Sequence, residues 1–559
     1  MTMHIGKPVV FCILINFGIA VAREADKFDE LARSFYYQTA EYNPVWGTKA
    51  GIHTFDSLLP DISDGQLRKH SEFLKRSKAL LAKIDTSGWT ADRQIDFLLL
   101  KSDMEFMSSD LRQPYLTLDS LINYPAITYD AVYDLMARQY PPFADRSSAL
   151  RKRIDLIPDF LRKAMPREDT ITWDNRHCAE FDAQGGQALI SGISEVLIDS
   201  FPEDNAKIAT ARDRAGIAFL DYYQRLGKLK ILFGDHPIGK EKFNSLLTEY
   251  YFLDIDIDSV KTIAETICKE ADSLMKVYAK TARDDYPWSP HDDVFGGPPI
   301  DSVMRYCYAE LDSIGIFLNK NEIVTVPDNL SECLFVSAES TGLVKYDMTD
   351  FYFSPGNLDQ DQTGVYYTGF HMLTTPLFAE MPYDYAVRKN RRGFARLIIP
   401  GEHMQTFISH NHKSIVRRMQ ENDMMKNGWT LYINELLAHR GLYGDNPVVL
   451  RDIYNEIRTY AVEAVVDIAR LCDGYPYDST LAIKTRLFGA DYPSRQRSYH
   501  GYLDPMENLS YVIGYFMLRD MKAKASAKEE KDFDLKDFQD KVLSEGCIPP
   551  ALIARKYGW

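Results

Sequence analysis

The chain lacks most of the sequence devices that announce an activity. No two of its 7 cysteines stand in CxxC spacing, so a structural zinc cage has no ligand set. No G-x-x-x-x-G-K loop is present to cradle a phosphate, and no G-x-S-x-G elbow to expose a nucleophilic serine. Cys178 beside His177 does not replace them, because adjacent residues on a helix point apart. Basic charge is also scarce: 65 Lys and Arg against 80 Asp and Glu leave a net charge of −15. A nucleic-acid binder needs a basic stripe to release counterions. Here only short clusters such as Arg388-Lys389-Asn390-Arg391-Arg392 occur, which read as solvated surface. Nucleic acid is not an expected partner. Beyond residue 22 no run is apolar for the roughly 20 residues that span a bilayer. No short-period repeat or low-complexity tract is present.

What is present is ordinary globular material: 45% hydrophobic and 26% charged residues over 559 positions, enough for one large core or two lobes. The N-terminus has the layout of an export signal. Lys7 precedes an apolar run from Val9 to Ile19, and Ala20-Val21-Ala22 offers small residues to a signal peptidase before Arg23 and Glu24 open a polar stretch. Residues 1–22 are therefore expected to be a signal peptide cleaved after Ala22, which places the mature chain in the secretory lumen or outside the cell with no transmembrane anchor. An uncleaved anchor or a buried N-terminal helix is the competing reading. Cys12 would leave with the signal. Cys178, Cys268, Cys307, Cys333, Cys472 and Cys547 remain, and either form one or two long-range disulfides or stay as buried thiols. Asn329 and Asn508 both match the glycosylation acceptor pattern. Asn329, beside Pro327 and Asp328, reads as exposed and glycosylated, whereas Asn508 lies in an apolar helical stretch and reads as buried and bare.

Helical periodicity dominates. Apolar positions at Phe28, Leu31, Ala32, Phe35 and Tyr36 mark one helix face, and Asn43-Pro44 ends it. Further amphipathic helices are expected from Ser63 to Ile84, at 92–111, 147–164, 205–231, 238–248 and 257–282, and again at 401–420, 427–440, 447–471 and 504–524. Between about 284 and 400, prolines punctuate shorter segments. There Ile323-Val324-Thr325-Val326 and Phe351-Tyr352-Phe353 have the β-branched and aromatic character of strands. The expected architecture is mostly α, with an N-terminal helical lobe over 23–285 and a C-terminal helical lobe over 286–559. A small β insertion is expected around residues 320–355.

Two segments of the C-terminal half invite a chemical reading: Arg396-Leu397-Ile398-Ile399-Pro400-Gly401-Glu402-His403-Met404-Gln405, and Asn427-Gly428-Trp429-Thr430-Leu431-Tyr432-Ile433-Asn434. They resemble the paired signatures His-Glu-x-x-Pro-Gly-His-His-x-Gln and Glu-Gly-Trp-Ala-Leu-Tyr-x-Glu of the family catalogued as domain of unknown function eight-eight-five, a helical, zinc-peptidase-like family. The resemblance spans nearly the whole mature chain. Asn43-Pro44-Val45 with Gly51 and Leu58-Leu59-Pro60-Asp61, Ile238-Gly239-Lys240-Glu241-Lys242-Phe243, Ile323 to Pro327, Tyr511-Val512-Ile513-Gly514 and Phe533 to Phe538 follow the family's order of landmarks. It implies a large helical metallopeptidase-like scaffold.

The departures from the family pattern are chemical. Arg396 stands at the leading histidine, Leu397 at the glutamate, and Glu402 at the first of the paired histidines, of which His403 alone is kept. Asn427 and Asn434 replace the two acids of the second signature. Leu471 falls where a histidine follows Val465-Val466-Asp467, and Met506-Glu507-Asn508 follow Pro505 in place of Gly-Gln-Ala. A catalytic zinc takes about three neutral imidazole or carboxylate ligands plus an open position. Arginine cannot shed its proton to serve as one, and leucine cannot act as a general base. Zinc is therefore disfavoured, and no cofactor is expected. Glu402, His403, His410 and His412, with His371 upstream, could rebuild a site; on a helix His403 and His410 share a face at seven-residue spacing, but His412 points elsewhere and the four-residue spacing usual for metal ligands is missing. An ion pair between Glu402 and Arg396 is the expected metal-free replacement. The favoured function is a repurposed non-hydrolytic enzyme or a ligand- or peptide-binding pseudoenzyme. Glu402 and His403 are its candidate catalytic residues, and Arg396, Asn427, Trp429, Tyr432 and Asn434 line a helical cleft for a small molecule or peptide. Tyr366, Tyr367 and Phe370 either line that cleft or pack the core. The alternatives are an active metal-dependent peptidase with relocated ligands and a structural or interaction protein.

Overall fold

The computed structural model describes all residues except 1–6, 109–122, 139, 141, 165–168, 233–237, 283–299, 338–349, 369–390, 445–446 and 489–505, and for residues 7–22, 123, 172–174, 300–303, 337, 350, 368, 477–478 and 488 the backbone alone. The side chains of the expected signal peptide, the basic residues 388–390, Phe370, His371 and Pro505 thus lie outside the described residues. The fold is mostly helical, as expected. Helix α1 (Lys7–Tyr42) carries the apolar N-terminal run and the amphipathic 26–42 stretch in one continuous backbone. It is followed by α2 (Pro44–Lys49), α3 (Asp64–Leu81), α4 (Ala91–Ser108), α5 (Asn123–Ala137) and α6 (Phe143–Lys163). Strand β1 (Thr170–Thr172) leads into α7 (Trp173–Ser200) and α8 (Asn205–Leu226). Strand β2 (Lys230–Leu232) pairs in parallel with β1, so the helix expected to reach residue 231 ends at Leu226 and gives its last residues to a sheet. Among the described residues no helix is long and apolar enough to cross a membrane.

Helices α9 (Lys240–Glu249), α10 (Ile257–Ala279) and α11 (Ile300–Lys320) follow, the last within the stretch read as proline-broken. Strands β3 (Cys333–Ser337), β4 (Asp350–Phe353) and β5 (Gly364–Thr368) then form a three-stranded sheet in the order β3-β5-β4, parallel between β3 and β5 and antiparallel between β5 and β4. Phe351 to Phe353 is a strand as expected, but Ile323 to Val326 is not. Thr325 donates its backbone N–H to Asp540 at 2.8 Å and its hydroxyl to the same carboxylate, so the backbone donor a ladder would need is already spent on a side chain. Residues 391–397 are helical. The C-terminal body comprises α12 (Glu402–His410), α13 (Ile415–Arg418), α14 (Asp423–His439), α15 (Pro447–Leu471), α16 (Tyr477–Phe488), α17 (Glu507–Glu529), α18 (Leu535–Ser544) and α19 (Pro550–Tyr557). Side-chain oxygens cap several starts. Asn422 accepts from the Met425 N–H at 3.1 Å and Asp256 from the Ser259 N–H at 2.8 Å, each satisfying a donor that the first turn leaves open.

Two apolar clusters fill the interior. The larger joins Phe28 to Met104 with residues from Phe243 to Ile553, so helices from both expected lobes share it. The second gathers residues from Val132 to Leu226 with Val365 and Tyr367. Strand β5 divides them: Tyr366 packs into the larger cluster while its neighbours Val365 and Tyr367 pack into the second, as the two-residue period of a strand requires. Tyr366 and Tyr367 are each 1% exposed, so they belong to the cores rather than to a cleft. None of the described cysteines is in a disulfide, and all but Cys472 are buried.

The axis of the C-terminal body is the crossing of α14 and α17. A Cβ on Gly428 would lie 2.3 Å from the carbonyl carbon of Gly514, and one on Gly514 would lie 1.9 Å from the Met424 carbonyl oxygen. Only two glycines let these backbones approach so closely. The contact places the second signature segment against the Tyr511-Val512-Ile513-Gly514 segment.

Candidate functional site

The first signature segment is a helix end, a turn and a helix start. The 391–397 helix stops, the Ile399–Pro400 bond is cis, and Gly401 precedes α12. A Cβ on Gly401 would fall 1.8 Å from the Arg396 carbonyl oxygen, so the turn accepts glycine alone. Trp429 fixes this turn to α14: its indole N–H donates to the Pro400 carbonyl at 2.9 Å, and the ring is fully buried. The two signature segments are thereby one structural unit.

Arg396 leaves this turn towards α15 and α17. Its guanidinium pairs with Glu456, which also takes the Arg392 guanidinium at 3.2 Å. Nη2 donates to the hydroxyls of Tyr460 and Tyr511, each at 3.3 Å, and these two rings stack with centroids 4.0 Å apart. Burial works against the arginine's charge, but Glu456 and the two phenols more than offset it and hold the guanidinium above its ordinary value. Its Nε is buried and has no hydrogen-bond partner among the described residues. Glu402 does not meet Arg396, contrary to expectation. Its carboxylate pairs with Lys426 of α14 at 2.7 Å, and the Glu402 charge is the main cause that raises the Lys426 ammonium. Next to it Asn427 donates from Nδ2 to the Ser510 hydroxyl at 2.8 Å. Three polar groups are thus anchored on the two signature segments: Arg396 with Glu456 and Tyr511, Asn427 with Ser510, and Glu402 with Lys426.

The other expected site residues lie elsewhere. His403 is 1% exposed, with Nε2 2.8 Å from the Ser331 carbonyl and Nδ1 2.9 Å from the Tyr352 hydroxyl. A carbonyl can only accept, so Nε2 carries the proton and Nδ1 accepts from Tyr352. Burial lowers its pKa, and both ring nitrogens are spent on tying α12 to the sheet. Its neighbour Gly364 leaves room for the ring: a Cβ there would lie 2.7 Å from Nδ1. His410 is equally engaged, with Nδ1 2.8 Å from Gln362 Oε1, and burial pushes it down to about 4. His412 Nδ1 accepts from the Ser414 N–H at 3.0 Å. Asn434 accepts the Tyr443 hydroxyl at 2.7 Å, and its buried Nδ2 has no partner among the described residues. The Tyr432 hydroxyl accepts from Gln539 Nε2 at 2.9 Å, and its ring borders a cavity on another face of α14. Asn329 is exposed in a turn closed by the Leu330 N–H on the Pro327 carbonyl at 3.0 Å, and Asn508 is buried against Asp467.

The donor set around the Pro400-Gly401 turn does not fit zinc. It offers a guanidinium, an ammonium, a carboxylate already paired and a primary amide, and among the described residues no group of three His, Cys, Asp or Glu side chains could hold a metal ion. Sequence reasoning overlooked Glu456, Tyr460, Tyr511 and Lys426. Glu456 and Tyr460 stand four apart on α15, a spacing that puts them on one face, and Tyr511 lies in a landmark segment already noted. The missing signal was their partner, since nothing in the local pattern pairs α15 with residue 396.

Two solved structures share the fold. One is a putative lipoprotein of unknown function from Shewanella oneidensis, 18% identical, with a TM-score of 0.71 over 95% of this chain and 99% of that one. The other is a putative lipoprotein from Colwellia psychrerythraea, 14% identical, with a TM-score of 0.74 over 95% and 99%. No protein of curated description matches the chain. The family model described as bacterial protein of unknown function (DUF885) matches residues 44–556, almost the entire chain, and the chain belongs to that family.

Proposed function

We propose that this chain is a repurposed member of its family: a pseudoenzyme on a metallopeptidase-like scaffold that acts outside the cytosol and binds a small-molecule or peptide ligand at the Arg396 cluster without zinc-dependent hydrolysis. The observation that carries the reading is the pair of ion pairs at the signature segments, Arg396 with Glu456 and Lys426 with Glu402. A divalent ion placed there would have to displace an ammonium and stand beside a guanidinium. Two unit charges 4 Å apart interact by about 4 kcal/mol at an effective dielectric of 20, and a divalent ion doubles the repulsion. Of the two candidate catalytic residues, His403 has no free nitrogen to move a proton, which leaves Glu402. A guanidinium that donates to two stacked phenols suits a carboxylate or another oxyanion.

Export belongs to the same proposal, supported by the N-terminal signal pattern and by the description of both solved relatives as putative lipoproteins. The exposed Asn329 turn is its glycosylation site. The test is to purify the exported chain, measure zinc before and after loading and desalting, and identify co-purifying small molecules by mass spectrometry. The expected result is substoichiometric zinc and a ligand lost in Arg396→Ala. One equivalent of zinc that survives desalting and disappears in Glu402→Ala would overturn the proposal in favour of a peptidase with relocated ligands.

A further inference from the structure

The α14 helix has a second working face. Tyr432, Glu435, Leu436 and His439 recur at three- and four-residue spacing and wall a cavity of about 700 Å³, whose other walls are α10 and α17. Lys426 and Asn427, which join the ion-pair cluster, lie on other faces of the same helix. The cavity volume falls within the roughly 300–1,000 Å³ usual for small-ligand sites. Ile263 and Ile267 of α10, Leu436 of α14 and Phe516 of α17 supply apolar wall, and Phe516 is 37% exposed, a large apolar ring left open to solvent.

The polar groups of this cavity are unequally provided for. Glu435 accepts the Tyr454 hydroxyl at 3.0 Å and the Tyr515 hydroxyl at 2.8 Å, one on each oxygen. Arg519 pairs with Glu270 at 3.2 Å and Asp520 with Lys524 at 2.8 Å. His439 Nε2 reaches the Tyr454 hydroxyl at 2.7 Å. Lys522 is the exception. Its ammonium lies over the Tyr432 ring, 5.8 Å from the centroid, and among the described residues no carboxylate stands within ion-pair distance. The groups acting on it are Glu435, which favours its charge, and Arg519 and Arg440, which oppose it along with burial. A half-buried ammonium on an aromatic face, set in an apolar wall and lacking a counter-ion, is a preformed half of a salt bridge.

We propose that this cavity binds an organic monocarboxylic acid with an apolar body, the carboxylate meeting Lys522 and the body lying along Ile263, Ile267, Leu436 and Phe516. The site is separate from the Arg396 cluster and does not depend on the reading of that cluster. Glu435 sets the selectivity: it lines the same cavity with a negative charge, so a dicarboxylate brings a second negative charge near it and binds more weakly than a monocarboxylate.

The test uses the full mature chain titrated by calorimetry with straight-chain monocarboxylates of increasing length, the matching alcohols and the matching dicarboxylates. The acid is expected to bind about tenfold or more tightly than its alcohol, the size of one charge-assisted contact. Lys522→Met should erase that preference while leaving alcohol binding in place, and Lys522→Arg should keep it. Leu436→Trp, which fills the cavity, should abolish binding of both. Arg396→Ala should leave all of these affinities unchanged, which separates failure of this site from failure of the proposed function. Equal affinity for acid and alcohol, or an unaltered preference in Lys522→Met, would overturn the assignment.

Discussion

Asp467 offers the sharpest physical test of the fold. It lies on α15, 3% exposed, and Oδ2 accepts from Asn508 Nδ2 at 2.8 Å. One turn earlier Glu463 is also buried, paired with Lys484 at 2.7 Å. Burial pushes Asp467 up to about 8 from the ordinary 3.8, the Asn508 hydrogen bond opposes the shift, and the Glu463 charge adds to it. The native protein therefore keeps this proton through neutral pH, while the unfolded chain releases it near pH 4. Between these values the native state binds more protons, so stability falls as pH rises. The favourable contribution is complete below about pH 4 and gone once pH passes about 8. At 1.36 kcal/mol per unit the full span is on the order of 5 kcal/mol, an upper bound because water and neighbouring charges relax around a newly ionised group.

Asp467→Asn keeps the acceptor for Asn508 and removes the titration. The variant should match the parent near pH 4.5 and exceed it by roughly 2–5 kcal/mol near pH 8.5, the range set by that bound. Urea unfolding followed by tryptophan fluorescence at the two pH values reads this as a difference of differences, in which every other titrating group cancels. Parallel pH dependence in parent and variant would refute the argument, and so would an equal loss of stability at both pH values.

His53 behaves in the related cationic sense. Burial lowers it, but hydrogen bonds and charge from Asp359 and Asp56 raise it to about 9, so its stabilisation is complete below pH 6.5 and lost as pH rises through 9. The penalty of His53→Gln, measured by the same unfolding assay, should be about 1–3 kcal/mol at pH 6 and shrink by pH 10. Arg417, 1% exposed, meets Asp92, Asp96 and Glu545, tying α4 to the segment between α18 and α19, and Lys556 shares two of these acids. Arg417→Met leaves buried carboxylates short of a cation and should cost about 3–5 kcal/mol, read as a drop in urea midpoint at unchanged slope. Gly514→Ala forces α14 and α17 apart at their crossing and should lower the thermal midpoint far more than Gly315→Ala, where an added Cβ meets nothing within 4 Å.

Much of this architecture is legible in the amino-acid order because helix periodicity is local. The α3 cap at Ser63 and the α15 bounds at 447–471 follow from punctuation and apolar spacing alone. What escaped was non-local. Helix α7, which is not among the helices expected from sequence, contains Gly186, where the Phe219 ring of α8 fills the space of a Cβ with atoms 2.5 Å away, so that glycine is a packing contact. Ile323 to Val326 has strand composition, but Asp540 of α18 takes the donors of Thr325. The same limit governs the site. Arg396, Glu402 and Asn427 are marked by a motif, and the structure places Arg396 and Glu402 on either side of one turn, with Asn427 on α14 against Ser510. Their charge partners are not so marked, and the expected Arg396–Glu402 pair was replaced by Glu456 and Lys426, one from a helix that no local pattern links to the motif.

That replacement has a consequence for how the cluster is held. A lone guanidinium or carboxylate beside a buried turn costs several kcal/mol, so a segment that carries Arg396 and Glu402 folds stably only if each finds an opposite charge. The two charges could have met each other and closed the turn upon itself. Instead each reaches to another helix, Arg396 to α15 and Glu402 to α14, while Trp429 ties α14 back to Pro400. Partners drawn outward in this way fix the relative positions of the 391–397 helix, α12, α14, α15 and α17 through ion pairs and hydrogen bonds among side chains. On the proposed reading this is the work a central ion performs in a metalloenzyme, and it leaves the cavity on the other side of α14 walled by a helix whose position is set from three directions.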